Sequence, residues 1–130
     1  ALKIDQWNNT GQVGFTQFGV ADRFFSPAFS APIGEFMQLV FVGDPSTGIS
    51  LYADGVLVGS NSTYMPLPRS EIGSFESGNM VLDEVVIFDR ALSLAEIVSH
   101  AHAAAVIPEP SAFLIWFFGL IALAWPARRR

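Results

Sequence analysis

The acidic residues carry most of the chemistry that this chain could do. Asp83 and Glu84 stand side by side in "MVLDEVVIFD", residues 80–89. Glycoside hydrolysis needs two carboxyl groups facing each other across the scissile bond. Neighbours in a strand point to opposite faces, so this pair cannot flank one bond. Glu71 and Glu76 fall in a loop-like stretch with the wrong spacing. Asp22, Asp44 and Asp54 all lie at turn signals, where a solvated carboxylate is the ordinary role. Calcium takes about six to eight oxygen ligands, and no D-x-D-x-D-G loop gathers them. No metal or cofactor site is therefore assigned. If calcium binds, its ligands come from separate loops, with Asp83 and Asp54 as the candidates. The plainer role for Asp83 is a buried acid bonded to loop backbone. His100 and His102 are two apart on a helical stretch and do not share a face, which argues against zinc. The chain has no cysteine, so disulfides and thiolate metal sites are excluded. No Ser/His/Asp arrangement, phosphate-binding glycine loop or basic aromatic patch is present. These patterns predict no catalytic residues, and a protein that is not an enzyme.

The elements that would position these residues are mostly strands. Leu2 and Ile4 alternate with Lys3 and Asp5, a strand period. "NNTG" is a turn signal, and Val13 and Phe15 share a face in the strand that follows. "SPAFSAPIG", residues 26–34, reads as a loop. Residues 36–42 are nearly all apolar and read as a buried strand. "DPSTG" is a turn. "ISLYADGVLVGS" holds two β-rich runs around Asp54 and Gly55, the signature of a two-residue type I′ hairpin. Tyr52 and Val56 flank that turn and should pin its register. Residues 61–79 are polar and broken by Pro66 and Pro68, with short strands at best. Residues 80–89 are apolar on both faces, which predicts a central strand. The period then changes to helical in "ALSLAEIVSHAHAAA". Ser93 and Glu96 have the spacing of a capping box, and Leu94, Ile97 and Val98 would face the sheet. Many close strands and one late helix predict an antiparallel β-sandwich.

Charge narrows the partners. Residues 1–105 hold four bases (Lys3, Arg23, Arg69, Arg90) against eleven acids, a net charge of −7. Nucleic-acid binding needs clustered Lys and Arg, so a nucleic-acid partner is excluded. The first residues, "ALKIDQW", contain no initiator Met and none of the basic and apolar regions of a secretory signal. A piece of a longer protein is expected.

Three stretches together resemble a known family. "GEFMQLVFVGDPSTGISLYADGVLVGS" resembles the strand–turn–hairpin of laminin G-like, concanavalin A-like jelly-roll domains. "VLDEVVIFDRALSLAEI" resembles the close of the same domains, and "GQVGFTQFGVADRFFSP" fits a bacterial subgroup. The resemblance covers residues 1–105 and implies a jelly roll of which only the C-terminal part is present. Phe36 and Gln38 stand where the family usually has Trp and His, and Met80 where it usually has Gly. About seven or eight strands can be placed here, fewer than a full sandwich of this type holds, and a partial sandwich exposes sheet edges and an apolar face. The resemblance implies a binding or adhesion module, often for glycans and sometimes with calcium. Related glucanases place acids at alternate positions in an E-x-D-x-x-E pattern, which Asp83 and Glu84 do not match.

The tail, residues 106–130, reads as a separate unit. Residues 112–125 contain no polar side chain. The uncharged run of residues 110–127 spans roughly 27 Å as a helix at about 1.5 Å per residue, close to the ~30 Å hydrocarbon core. Eight Phe, Leu and Ile residues in it contribute about −4 kcal/mol towards insertion. A transmembrane helix is predicted at about residues 111–127. Arg128, Arg129 and Arg130 should stay cytoplasmic by the positive-inside rule, leaving the body outside. Pro108 and Pro110 hold their segment extended, and Glu109 keeps it in water. Pro108-Glu109-Pro110, then an apolar helix, then terminal arginines, resembles the PEP-CTERM sorting signal of Gram-negative bacteria. That resemblance implies an exosortase-type membrane protease as partner. It also implies a brief stay in the inner membrane, then release to the cell surface or extracellular matrix, where a polysaccharide or other glycan is the expected ligand. The N-x-T sequons at Asn8 and Asn61 would matter only in a eukaryotic secretory route, against which the tail argues. Two other expectations stand beside it: a permanently membrane-anchored protein with the same topology, and an accessory binding domain of a larger glycan-active enzyme.

Overall fold

A computed structural model describes residues 1–4, 10–66 and 81–106. Its described part is mainly β. β1 (Leu2–Lys3), β2 (Gly14–Gln17) and β3 (Ala21–Phe24) form one antiparallel sheet in the order β1-β2-β3. β4 (Leu39–Asp44), β5 (Gly48–Ala53) and β6 (Val56–Asn61) form a second, in the order β4-β5-β6. One helix, α1 (Leu94–Val106), closes the described chain.

Each turn has a local cause. Val20 N–H donates to Gln17 O at 2.9 Å, and Gly19 supplies the positive φ of 76° that this tight turn requires. Asp54 and Gly55 both take positive φ, 47° and 82°. That is the type I′ geometry, whose twist matches the paired strands. β5 and β6 then run in register from Ala53 opposite Val56 to Ile49 opposite Asn61, with a bulge beside Leu51 and Tyr52.

The two sheets share one core. Val13 and Phe15 are fully buried on the inner side of the first sheet, as their spacing predicts. Ile49 and Leu51 are fully buried from the second sheet, and Phe25 and Met65 complete the cluster. The Phe25 ring lies 5.7 Å from Phe15 and 6.0 Å from Phe41, which ties both sheets to one aromatic centre. Beyond β3, Ser26 and Ser60 exchange reciprocal backbone hydrogen bonds of 2.8 and 3.1 Å. This bridge joins the first sheet to β6. The chain crosses so closely there that a Cβ on Gly59 would stand 2.8 Å from both Phe25 Cβ and Pro27 O.

Three expectations need correction. Residues 81–89 are not a central strand: they form no strand and are exposed throughout. A run apolar on both faces becomes a central strand only with a neighbour on each side, and no described segment pairs with it. Second, the strand expected at residues 36–42 begins only at Leu39 and is half-buried, while Phe36 before it is 79 % exposed. β4 stands at the edge of the described sheet. Its start is set by Gln38, whose N–H and C=O are both engaged by Asp54. Third, Leu94 is 58 % exposed rather than facing a sheet, whereas Ile97 is fully buried and Val98 half-buried. Six strands are described, where about seven or eight were expected.

Among the described residues no helix is long and apolar enough to cross a membrane. The span expected at 111–127 lies outside the described residues, as do residues 5–9 and 67–80 and the tail motifs Pro108, Glu109, Pro110 and Arg128, Arg129, Arg130.

The crossing at Gly59 yields a test. Gly59→Ala forces the Phe25 and Pro27 segment away from β6, an overpacking that costs about 1–3 kcal/mol. Denaturant unfolding followed by circular dichroism should show a lowered midpoint with the slope unchanged. An unaltered midpoint contradicts the close crossing.

Candidate functional site

Glu71 and Glu76 lie outside the described residues, and Asp44, Asp54 and Asp83 are engaged locally. Asp44 closes the β4–β5 turn. Its Oδ1 accepts from Ser46 N–H at 2.7 Å, from the Ser46 hydroxyl and from Thr47 N–H at 3.1 Å. The Ser46 hydrogen bonds hold this carboxyl below the usual carboxylate range, so it stays charged and keeps the turn built. Gly48 ends that turn with φ of 98°, where a Cβ would collide with the backbone of Asn61 and Ser62. Asp54 Oδ1 accepts from Gln38 N–H at 2.8 Å, and Asp54 N–H donates to Gln38 O at 3.0 Å. The hairpin tip is thus stapled to the start of β4.

Asp83 is exposed, not buried at the end of a sandwich, and its Oδ1 accepts the N–H of Glu84 at 2.9 Å. It turns its own chain, and Glu84 adopts a φ of 49°. Without a ladder to bury the segment, no loop backbone comes to this carboxylate. Among the described residues no group of three or more His, Asp or Glu side chains gathers into a metal site. His100 and His102 are both exposed on α1, and the His100 ring packs 5.6 Å from Phe88.

The start of α1 is the capping box expected from Ser93 and Glu96. Ser93 N–H donates to Glu96 Oε2 at 2.8 Å, and Glu96 N–H reaches back to Ser93 Oγ at 3.4 Å. Arg90 adds a two-pronged pair to the same carboxylate, at 2.6 and 3.0 Å. The helix rests on the β5–β6 tip. A Cβ on Gly55 would lie 3.3 Å from Ala101 Cβ and 3.4 Å from Val98 Cα. Gly55 is therefore required twice, for its φ and for the helix above it.

The outer face of the sheet β1-β2-β3 holds a group that the sequence motifs do not reveal. Strand pairing sets Lys3 opposite Gly14, Gly14 opposite Phe24, and Thr16 opposite Asp22. Opposed residues share a face. Phe24 is 37 % exposed there, and Asp22 accepts a hydrogen bond from the Thr16 hydroxyl. The signal was the doubled aromatic Phe24-Phe25, of which one must point in and one out. Which one does so depends on the register with β2.

The described chain is mainly β, two antiparallel sheets around one core, with Asp44 and Asp54 at turns and Asp22 within β3 rather than at a turn. The sequence profile of a laminin G-type family, described as the Concanavalin A-like lectin/glucanases superfamily, matches residues 2–98. The chain belongs to this superfamily. Among solved structures, the crystal structure of an S-layer domain-containing protein (residues 221–444) from Clostridium thermocellum ATCC 27405 matches at 23 % identity and a TM-score of 0.44. The match covers 69 % of this chain and 50 % of that one, so this chain spans about half the length of that protein's structure. No curated protein sequence matches.

The capping box makes α1 sensitive to acid. Arg90 first, then Ser93, lowers the Glu96 carboxyl from its usual 4.5 to about 2. A depressed folded pKa contributes stability that is fully present above the unfolded value and lost as pH falls through the folded one. Thermal stability should therefore fall as pH drops from about 4.5 to about 2, and Glu96→Gln should remove that part of the pH dependence. An identical acid profile in the variant contradicts the assignment.

Proposed function

We propose that this chain is the binding module of an exported bacterial surface protein, directed to the cell surface or extracellular matrix by its C-terminal tail. The observation that carries the sorting half is the order of residues 107–130: Pro108-Glu109-Pro110, an uncharged apolar run, then Arg128, Arg129 and Arg130 at the end. The motif begins two residues after α1 ends at Val106. An exosortase-type membrane protease recognises the proline-acid-proline segment just outside the inner membrane. The apolar helix holds that segment at fixed depth, and the arginines fix the orientation. The helix is a transient anchor in this reading.

The binding half rests on membership of a superfamily named for lectins as well as glucanases. Binding of a glycan is favoured over hydrolysis by the acids. Asp83 and Glu84 are adjacent and exposed, while Asp44 Oδ1 accepts from turn backbone and Asp54 Oδ1 from the Gln38 N–H before β4. Hydrolysis instead requires two carboxyl groups converging on one bond. The charge of −7 over residues 1–105 disfavours nucleic acid and anionic lipid as ligands.

Mass spectrometry of the mature protein from a bacterium that expresses it tests the sorting half. Loss of the residues after the Pro108-Glu109-Pro110 region is expected, and Glu109→Ala should retain an uncleaved form. An intact Arg130 in the mature wild-type protein contradicts sorting and points to a permanent anchor.

A further inference from the structure

Phe24 is an aromatic side chain that core packing does not explain. Its neighbour Phe25 is buried against Phe15 and Phe41, so Phe24 must face outwards. The residue across the ladder is Gly14, which has no side chain to cover the ring. Backbone contacts fix its position from two sides. Asn61 Nδ2 donates to Phe24 O at 2.7 Å, and the Ser26–Ser60 bridge begins two residues later. The ring is thus carried on a paired strand between two fixed points, already placed for a ligand.

Its polar neighbours on the same face are few and complementary. Asp22 Oδ1 is taken by the Thr16 hydroxyl, which orients the carboxylate and leaves its second oxygen to accept. Lys3 lies on the same row as Gly14 and Phe24, forms no ion pair among the described residues, and can only donate. One cation and one anion leave the face without net charge.

We propose that this face is a stacking subsite for a neutral hexopyranose. The proposal deepens, and rests on, the glycan-binding half of the reading above. A pyranose has an apolar C–H face and a rim of hydroxyl groups that both donate and accept. Phe24 takes the C–H face, Asp22 accepts from one hydroxyl, and Lys3 donates to another. A polyanionic glycan meets Asp22 and a body of net charge −7, which charge matching disfavours. A single ring binds one sugar weakly, and a repeating polymer raises the effective affinity by offering many copies.

The test uses the full chain in a detergent without a sugar headgroup, followed by NMR titration with mannohexaose, cellohexaose and laminarihexaose, and with polygalacturonate as an acidic probe. At least one neutral hexaose should shift the signals of residues 3, 14, 16, 22 and 24. Phe24→Ala should weaken that binding at least about tenfold, while Phe24→Trp keeps it within about threefold. The unfolding midpoint of each variant shows that loss of binding is not loss of fold. Neutral binding that Phe24→Ala leaves unchanged overturns this subsite and leaves the glycan-binding module standing. Binding of polygalacturonate alone overturns the neutral ligand. Binding of no probe removes the glycan-binding reading and this subsite together.

Discussion

The reciprocal pair between Ser26 and Ser60 is the constraint on which the rest of this fold depends. Each of the two described three-stranded sheets has one apolar face that must be covered. Joined at one edge and folded over Phe15, Phe25, Ile49 and Leu51, they share a single apolar core. The bridge places Phe25 between them and fixes the backbone on either side. It demands glycine at position 59, because no side chain fits where the chain crosses β6. Asn61, at the end of the same strand, adds a side-chain bond to Phe24 O and a turn bond from Thr63 N–H. Its carboxamide thus donates once and accepts once within the fold, although it lies in an N-x-T sequon.

The same crossing connects fold to function. Holding Phe25 inwards turns Phe24 outwards, so the contact that stabilises the core also presents the ring proposed to meet a sugar. At the other end of the second sheet, Gly55 lets α1 settle on the hairpin tip, and Arg90, Ser93 and Glu96 fix where that helix begins. The helix leads directly to the tail. The face proposed to meet a sugar and the tail proposed to address the protein are separate stretches of one chain.

Local chemistry made part of this legible from the sequence. Asp54 and Gly55 specify their turn because both must take positive φ, and Ser93 and Glu96 specify a helix start because their spacing closes a box of hydrogen bonds. Val13 and Phe15 alternate inwards as a period of two requires. Non-local choices were not legible. Residues 81–88 have the composition of a central strand, yet a strand is made by its neighbours, and none of the described segments pairs with it. The same holds for Asp83, whose expected burial required that strand to be covered. Phe24 and Phe25 are chemically identical, and only the register of β3 against β2 decides which becomes core and which becomes surface.

The central claim is that the sandwich works outside the cell as a sugar-binding module. The most direct measurement is protease shaving of intact cells that express the whole protein, with and without prior washing in the neutral oligosaccharide that binds best. The account predicts that peptides from residues 10–66 are released from unwashed intact cells, and that sugar washing carries the protein into the supernatant first. Peptides that appear only after the cells are lysed would contradict it.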